Sequence, residues 1–310
     1  MKMIKNNNEK RIYMKKGNIL ILIILLILSG ILGYNINSKI KSNTNVKKES
    51  VKNMNNGDLV QQEKTLPKKE EREVYDILGK SNKLTTNQWK AMEQWRSDVV
   101  KLSKENKEEV YTNGYNKEKM VALTFDDGPD SNITPKIVET LTQYNVNGNF
   151  FFIGEKVWKY PSVVEKAYKE GNLVLSHSYN HVELNKLSEG KIKNEMEKGE
   201  EEIFNIIGKK PSLIRPPYGA IDKNVIEAAK SEGNKIILWS IDTLDWSQME
   251  KENIQKNIID NLRPGEIILM HSNEDKIATL EALPDIIMAI KEKGYEIVTL
   301  DKLLNVEAYK

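Results

Sequence analysis

Five short stretches of this 310-residue chain carry side chains able to move protons or hold a cation. Asp126 and Asp127 stand side by side in LTFDDGPDSNITP (123–135). His177 and His181 bracket HSYNH, Arg215 opens RPPYG, and Asp242, Asp245 and Trp246 lie in DTLDW. His271 ends ILMH. Two adjacent carboxylates repel when both are charged and dry, so the first stretch is either a solvated turn at Gly-Pro or part of a site that offsets the charge. The His-x-x-x-His spacing sets two imidazoles one helical turn apart, which suits one shared metal. Two neutral imidazoles and a carboxylate suit zinc and leave a position open for water. A second carboxylate beside the first would stay free as a base, with the cation relieving their repulsion. Each stretch alone has a plainer reading. Asp-Asp-Gly-Pro and Arg-Pro-Pro-Tyr-Gly make turns, His271 could be a satisfied core histidine, and Asp245 or Trp246 could cap a helix or fill core.

The elements that carry these residues argue for the sharper reading. Apolar runs at 120–125, 149–153, 173–176, 212–215, 236–240, 266–270 and 296–300 read as strands. They are continuous rather than alternating, as strands buried on both faces are. Helical patterns lie between most of them, at 134–144, 162–170, 188–207, 222–232, 253–262 and 277–293, the last with Pro284 placed to kink or split it. This alternation predicts an α/β fold with a parallel sheet and outer helices, either a barrel or an open doubly wound sheet. In both, chemistry gathers at the carboxyl ends of the strands. All five stretches fall there, and so do all three histidines of the chain. There is no cysteine, which removes disulfides, thiolate metal sites and cysteine nucleophiles from consideration.

Together, TFDDGP, HSYNH, RPPYG, DTLDW and LMH resemble the motif set of the polysaccharide deacetylase family with the NodB-homology domain, carbohydrate esterase family 4. The resemblance covers about residues 117–305, with no departure at a functional position. It implies a deformed (β/α) barrel and metal-dependent removal of acetyl groups from a glycan. It further implies Asp126 as general base, Asp127, His177 and His181 as ligands of a divalent metal, usually Zn2+ although Co2+ or another can serve, and Arg215 as the partner orienting Asp126. His271 is then the general acid held by Asp245. Tyr218 supplies a backbone N–H to the oxyanion and lines the groove, while Trp246 and Leu269 shape the acetyl pocket.

The chain ahead of this domain differs in texture. From residue 117 onward there are 25 Lys and Arg against 32 Asp and Glu, and before it 22 against 13. An acidic main domain argues against a nucleic-acid partner, which needs clustered positive charge. Residues 1–16 form a basic tail, expected to be cytoplasmic. Residues 17–38 hold no charge, and as a helix they would span about 33 Å, enough for a bilayer core. Ser29, Gly30 and Gly33 do not pair at the spacing of a cleavage site, so an uncleaved anchor is expected, with the membrane as partner. Residues 39–72 read as a flexible tether and 73–116 as a partly helical linker. In the latter, Thr86 is a candidate N-cap, and Trp89, Met92, Trp95, Val99 and Leu102 recur at roughly helical spacing. A small helix packing on the main domain is the expected reading and a wall-binding helix the alternative.

Anchor, tether and deacetylase together point to a bacterial enzyme acting on N-acetylglucosamine of peptidoglycan, on the extracellular side of the cell membrane. Chitin oligomers, another poly-N-acetylglucosamine or O-acetylated xylan are the other candidate glycans. Tyr218 favours glucosamine, because relatives acting on muramic acid often carry Arg there. Two other classes fit the pattern less well. A phosphatase built on an Asp pair usually wants Asp-x-Asp, and a catalytically silent glycan-binding protein would be expected to lose a base or a ligand.

Overall fold

The computed structural model describes residues 72–310. The basic tail, the expected anchor at 17–38 and the tether as far as residue 71 lie outside the described residues. Among the described residues no helix is long and apolar enough to cross a membrane.

Nine strands form one sheet in which every strand pair is parallel. They are β1 (Val110–Tyr111), β2 (Met120–Asp126), β3 (Asn149–Phe152), β4 (Leu173–Ser176), β5 (Leu213–Ile214), β6 (Lys235–Ile237), β7 (Ile241–Asp242), β8 (Ile267–His271) and β9 (Glu296–Ile297). The order is β1-β6-β5-β4-β3-β2-β8-β7, with β9 added beside β2. The run expected as one strand over 236–240 is split. Its first part pairs with β5 and β1, and the chain then passes through Trp239 and Ser240 to pair with β8. Closure of the deformed barrel runs through that chain segment rather than through a continuous ladder. The last strand is shorter than expected, because Thr299 takes the N-cap position of a helix over Leu300–Leu304.

Continuity of the apolar runs has a direct cause. Ala122, Phe151, Leu175, Ile267 and Leu269 belong to one buried cluster, while Leu123, Phe150, Phe152, Val174, Ile268 and Met270 belong to a second. Alternate residues of one strand thus serve two cores, so both faces must be apolar.

The outer helices are α1 (Thr86–Glu105), α2 (Ile133–Gln143), α3 (Gly154–Val157), α4 (Pro161–Lys169), α5 (Glu189–Ile207), α6 (Lys223–Ser231), α7 (Lys251–Ile259), α8 (Ile277–Glu292) and α9 (Leu300–Leu304). Pro284 does not split α8. Buried Ala282, Leu283, Ile286, Ile287 and Ile290 surround it, and packing of that face outweighs one missing backbone hydrogen bond.

Residues 73–116 are more than a linker. They belong to the same compact unit as the rest of the described chain, and β1 within them is a strand of the main sheet. Arg72, expected at the end of the tether, is buried, and its guanidinium donates to the carbonyls of Asn113, Lys107 and Val110. The N-cap of α1 is Thr85 rather than Thr86. Its hydroxyl accepts from the Gln88 N–H, and the Gln88 side chain accepts from the Thr85 N–H, closing a capping box.

Candidate active site

In a regular strand Asp126 and Asp127 would point to opposite faces. They do not, because the strand ends between them: Asp127 takes φ 67°, in the left-handed region. That turn breaks the alternation and brings both carboxylates to one cavity. The same device recurs. Of the seven non-glycine residues with positive φ among the described residues, five lie in the motif loops: Asp127, Ser178, His181, Tyr218 and Leu244. Such backbone costs on the order of 1 kcal/mol or more per residue and must be held by its surroundings. At the first loop, Gly128 is packed so closely that a Cβ would meet the Ser272 hydroxyl at 2.6 Å and the Phe152 ring at 2.8 Å. Asp130 then accepts from the N–H groups of Asn132, Ile133 and Thr134, fastening the loop to the start of α2.

Asp126 is buried, and its Oδ1 accepts from Arg215 Nη1 at 2.7 Å. Arg215 is wholly buried and has its donors placed. It also donates to the Thr124 hydroxyl and to the carbonyls of Ile237 and Leu238. Its guanidinium lies 4.2 Å from the Phe151 ring centroid, and on the Trp239 side 5.6 Å from that ring. Burial lowers the Arg215 pKa, and the Asp126 carboxylate opposes that.

His177 and His181 are not on a helix, as their spacing suggested. They sit in the loop after β4, and the left-handed turns at Ser178 and His181 bring the ring centroids to 5.0 Å. Glu195 of α5 holds this loop, accepting from the Asn180 backbone and side-chain N–H groups. His177 Nδ1 is 2.6 Å from the Arg215 carbonyl. A carbonyl only accepts, so Nδ1 carries the proton and Nε2 presents a lone pair.

Asp127 Oδ1 stands 3.4 Å from His177 Nε2 and 2.9 Å from His181 Nε2. It is nonetheless buried without an aligned hydrogen-bond donor. The three side chains offer donor atoms within 4.8 Å of one another. Lone pairs converging on a shared point, one of them orphaned, fit a divalent cation bound by two imidazoles and a carboxylate.

Opposite this corner, the β2–β8 register pairs Asp126 with His271. His271 Nδ1 is 2.7 Å from Asp245 Oδ1, and its backbone N–H donates to Asp245 Oδ2. The Thr279 hydroxyl donates to the same Oδ2. Burial lowers the His271 pKa; Asp245 more than reverses this, with smaller help from Asp127 and Asp126, and pushes it up to about 9.

A cavity of about 540 Å³ joins the two corners. Every expected site residue except Arg215 and Asp245 lines it, and those two lie buried behind Asp126 and His271. Tyr218 is 62 % exposed at the rim, with its ring edge-on to His181 at 4.8 Å. Trp246 is also partly exposed and donates Nε1–H to Asp242, while Leu269 forms part of the floor. Sequence reasoning missed Lys276, Trp239 and the α1 residues Gln88, Ala91, Met92 and Trp95, which line the same cavity. The apolar stripe of α1 was a signal that it packs, but not where.

Comparison with known proteins agrees with this geometry. The family model described as polysaccharide deacetylase matches residues 113–237. A peptidoglycan-N-acetylglucosamine deacetylase of Bacillus cereus is 40 % identical over 195 residues, which cover 62 % of this chain and 70 % of that protein. A peptidoglycan-N-acetylglucosamine deacetylase of Listeria monocytogenes, PgdA, is 38 % identical over 185 residues, 60 % of this chain and only 39 % of that longer protein. The crystal structure of the Bc1960 peptidoglycan N-acetylglucosamine deacetylase superposes with a TM-score of 0.65 at 36 % identity, covering 67 % of this chain and 99 % of that one. With the parallel barrel, the five motif loops and this degree of identity, the chain belongs to the polysaccharide deacetylase family.

Proposed function

We propose that the protein removes N-acetyl groups from N-acetylglucosamine residues of peptidoglycan, with Zn2+ as the divalent metal. One observation carries the reading: a convergent Asp127–His177–His181 donor set lies between an arginine-paired carboxylate and a carboxylate-paired histidine around one cavity. The names of the relatives support the substrate class, and Tyr218 at the rim supports glucosamine over muramic acid.

Asp127, His177 and His181 would hold the cation, which would supply Lewis acidity towards the amide carbonyl and a more acidic water. The remaining work falls to the chain. Asp126 takes the proton of the attacking water, and Arg215 fixes the direction in which its carboxylate faces. The Tyr218 N–H stabilises the charge that develops on the carbonyl oxygen. His271, charged because of Asp245, delivers a proton to the departing amine nitrogen. Trp246 and Leu269 enclose the acetyl methyl and keep bulkier acyl groups out. The reading as a silent glycan-binding protein has no support in the site, since neither the base nor a ligand is missing.

Mass spectrometry of peptidoglycan fragments incubated with the purified protein tests this. Glucosamine should lose one acetyl and muramic acid none, activity should vanish on chelation, and Zn2+ should restore it. Release of no acetate from any fragment overturns the reading, and loss from muramic acid alone overturns the sugar. The uncharged segment 17–38 would hold the catalytic unit outside the cell; protease added to intact cells should then remove that unit, and a shielded unit reverses the topology.

A further inference from the structure

We propose that α1, which lies ahead of the family-matched region, is a working part of the site, with Trp95 and Arg96 as positioning residues that each hold one loop of the cavity. The proposal rests on the deacetylase reading in one respect: Tyr218 and Trp246 are taken to touch substrate.

Trp95 reaches the RPPYG loop. Its Nε1–H donates to the Gly219 carbonyl at 3.2 Å, and its ring lies 5.3 Å from that of Trp239. Tyr218 and Gly219 both have φ 60°, so the loop makes two left-handed steps in succession. Glycine takes this step freely, but Tyr218 is strained there, and beyond the loop's own turn bonds a contact from outside helps to hold it. Trp95 is that contact. A Cβ on Gly219 would come within 2.5 Å of the Trp95 ring and 3.0 Å of the Trp239 ring, so the turn is packed directly against the indole pair.

Arg96 reaches the DTLDW loop. Its Nη1 donates to the Gly79 carbonyl, and its Nη2 lies 3.9 Å from Asp242 Oδ2. Nε and Nη2 are buried without hydrogen-bond partners, so the guanidinium faces the carboxylate with donors to spare. Asp242 turns its other oxygen to the Leu244 N–H and to the indole N–H of Trp246. Gly79 closes the arrangement from below: Leu78 pairs with Ile241, and a Cβ on Gly79 would lie 2.0 Å from the Asp242 carbonyl. Adjacent side chains of one helix therefore run to opposite walls of the cavity, one behind Tyr218 and one behind Trp246. Met92, one turn earlier, lines the cavity itself.

The test uses Trp95→Phe, which keeps a ring and removes the N–H donor, and Arg96→Gln with Arg96→Lys as its conservative partner. Trp95→Phe should lower kcat about fivefold, the share of one hydrogen bond, with little change in KM. Arg96→Gln should raise KM and weaken the preference for N-acetyl over N-propionyl substrates, and Arg96→Lys should restore part of that preference. Metal content should match wild type throughout. Hydrogen exchange on the substrate-free proteins should quicken at 216–220 in Trp95→Phe and at 242–247 in Arg96→Gln, and nowhere else. Unchanged kinetics with unchanged exchange in those loops overturns the proposal, and so does quickening spread evenly over the domain, which marks a merely structural helix. If the wild-type protein releases no acetate, the deacetylase reading falls by itself, and the exchange pattern still decides whether α1 holds the loops.

Discussion

The two corners of the cavity treat charge in opposite ways. At one, the carboxylate of Asp126 faces the cavity and the guanidinium of Arg215 lies behind it. At the other, the imidazole of His271 faces the cavity and the carboxylate of Asp245 lies behind it. In each case the rear partner is the more buried and the more heavily bonded. Arg215 is tied to Thr124, Ile237 and Leu238, and Asp245 to Thr279 and the His271 backbone. Burial alone disfavours the charges of Arg215, Asp245 and His271. The rear partner is a guanidinium at one corner and a carboxylate at the other, so one cavity presents two oppositely supported front groups on adjacent strands.

Replacing the front group of the first corner should have the largest effect. Asp126→Asn keeps the hydrogen bond from Arg215 but cannot accept a proton. The loss should be about 10²- to 10⁴-fold in kcat, the usual share of a general base. Metal content should be unchanged, because Asp127, His177 and His181 are untouched. Acetate release together with metal analysis checks both. A variant that keeps its rate would remove the base from this corner, and one that loses its metal would show that the corners are not separable.

Replacing the rear group of the second corner comes next. Asp245→Asn removes the charge that outweighs burial at His271. The His271 pKa should fall well below about 9, since burial is then opposed only by the smaller contributions of Asp127 and Asp126. An acid must be protonated to work, so wild-type kcat should fall on the alkaline side as pH rises through about 9, and in the variant that limb should move to lower pH. Stability follows the same sign. His271 is more basic folded than unfolded, so its contribution is complete below about 6.5 and lost as pH rises through about 9. A pH–rate profile with an NMR titration of His271 measures the shift; an unmoved alkaline limb assigns the acid elsewhere.

What was legible in the sequence and what was not separates along the same line. Strand runs, the parallel alternation and the positions of the three histidines were readable, because burial on both faces writes continuous apolar runs and parallel sheets gather their carboxyl ends. The left-handed turns at Asp127, His181 and Tyr218 were not, since none is a glycine and each is imposed by tertiary contacts. For the same reason His177 and His181 looked like one helical turn and are a loop. The break between β6 and β7 was hidden because Ile236–Ser240 is apolar enough for one strand; only its change of partners divides it. The role of α1 was out of reach, because its period shows that a face is buried, while the contact from Trp95 to Gly219 spans 124 residues. Thr279 carried no signal at all: a threonine early in an apolar helix reads as filler.

Thr279 gives the finest probe of the comparison. Among the described residues its hydroxyl is the one side-chain donor besides His271 on the rear carboxylate, 2.7 Å from Asp245 Oδ2 and fully buried. Thr279→Val keeps the shape and removes that donor. Asp245 is held below the ordinary carboxylate range against burial, by His271 first and by Thr279 after it. Without the hydroxyl its charge is less well supported, and a net hydrogen bond of about 1 kcal/mol corresponds to a few-fold change. The alkaline limb should therefore shift slightly to lower pH, by much less than in Asp245→Asn, and kcat at neutral pH should change little because His271 stays protonated there. The same valine has no path to the first corner, so metal content and the acidic limb should match wild type. A shift in the acidic limb would mean that the two corners share their charge through the cavity, and that the rear partners do not act independently.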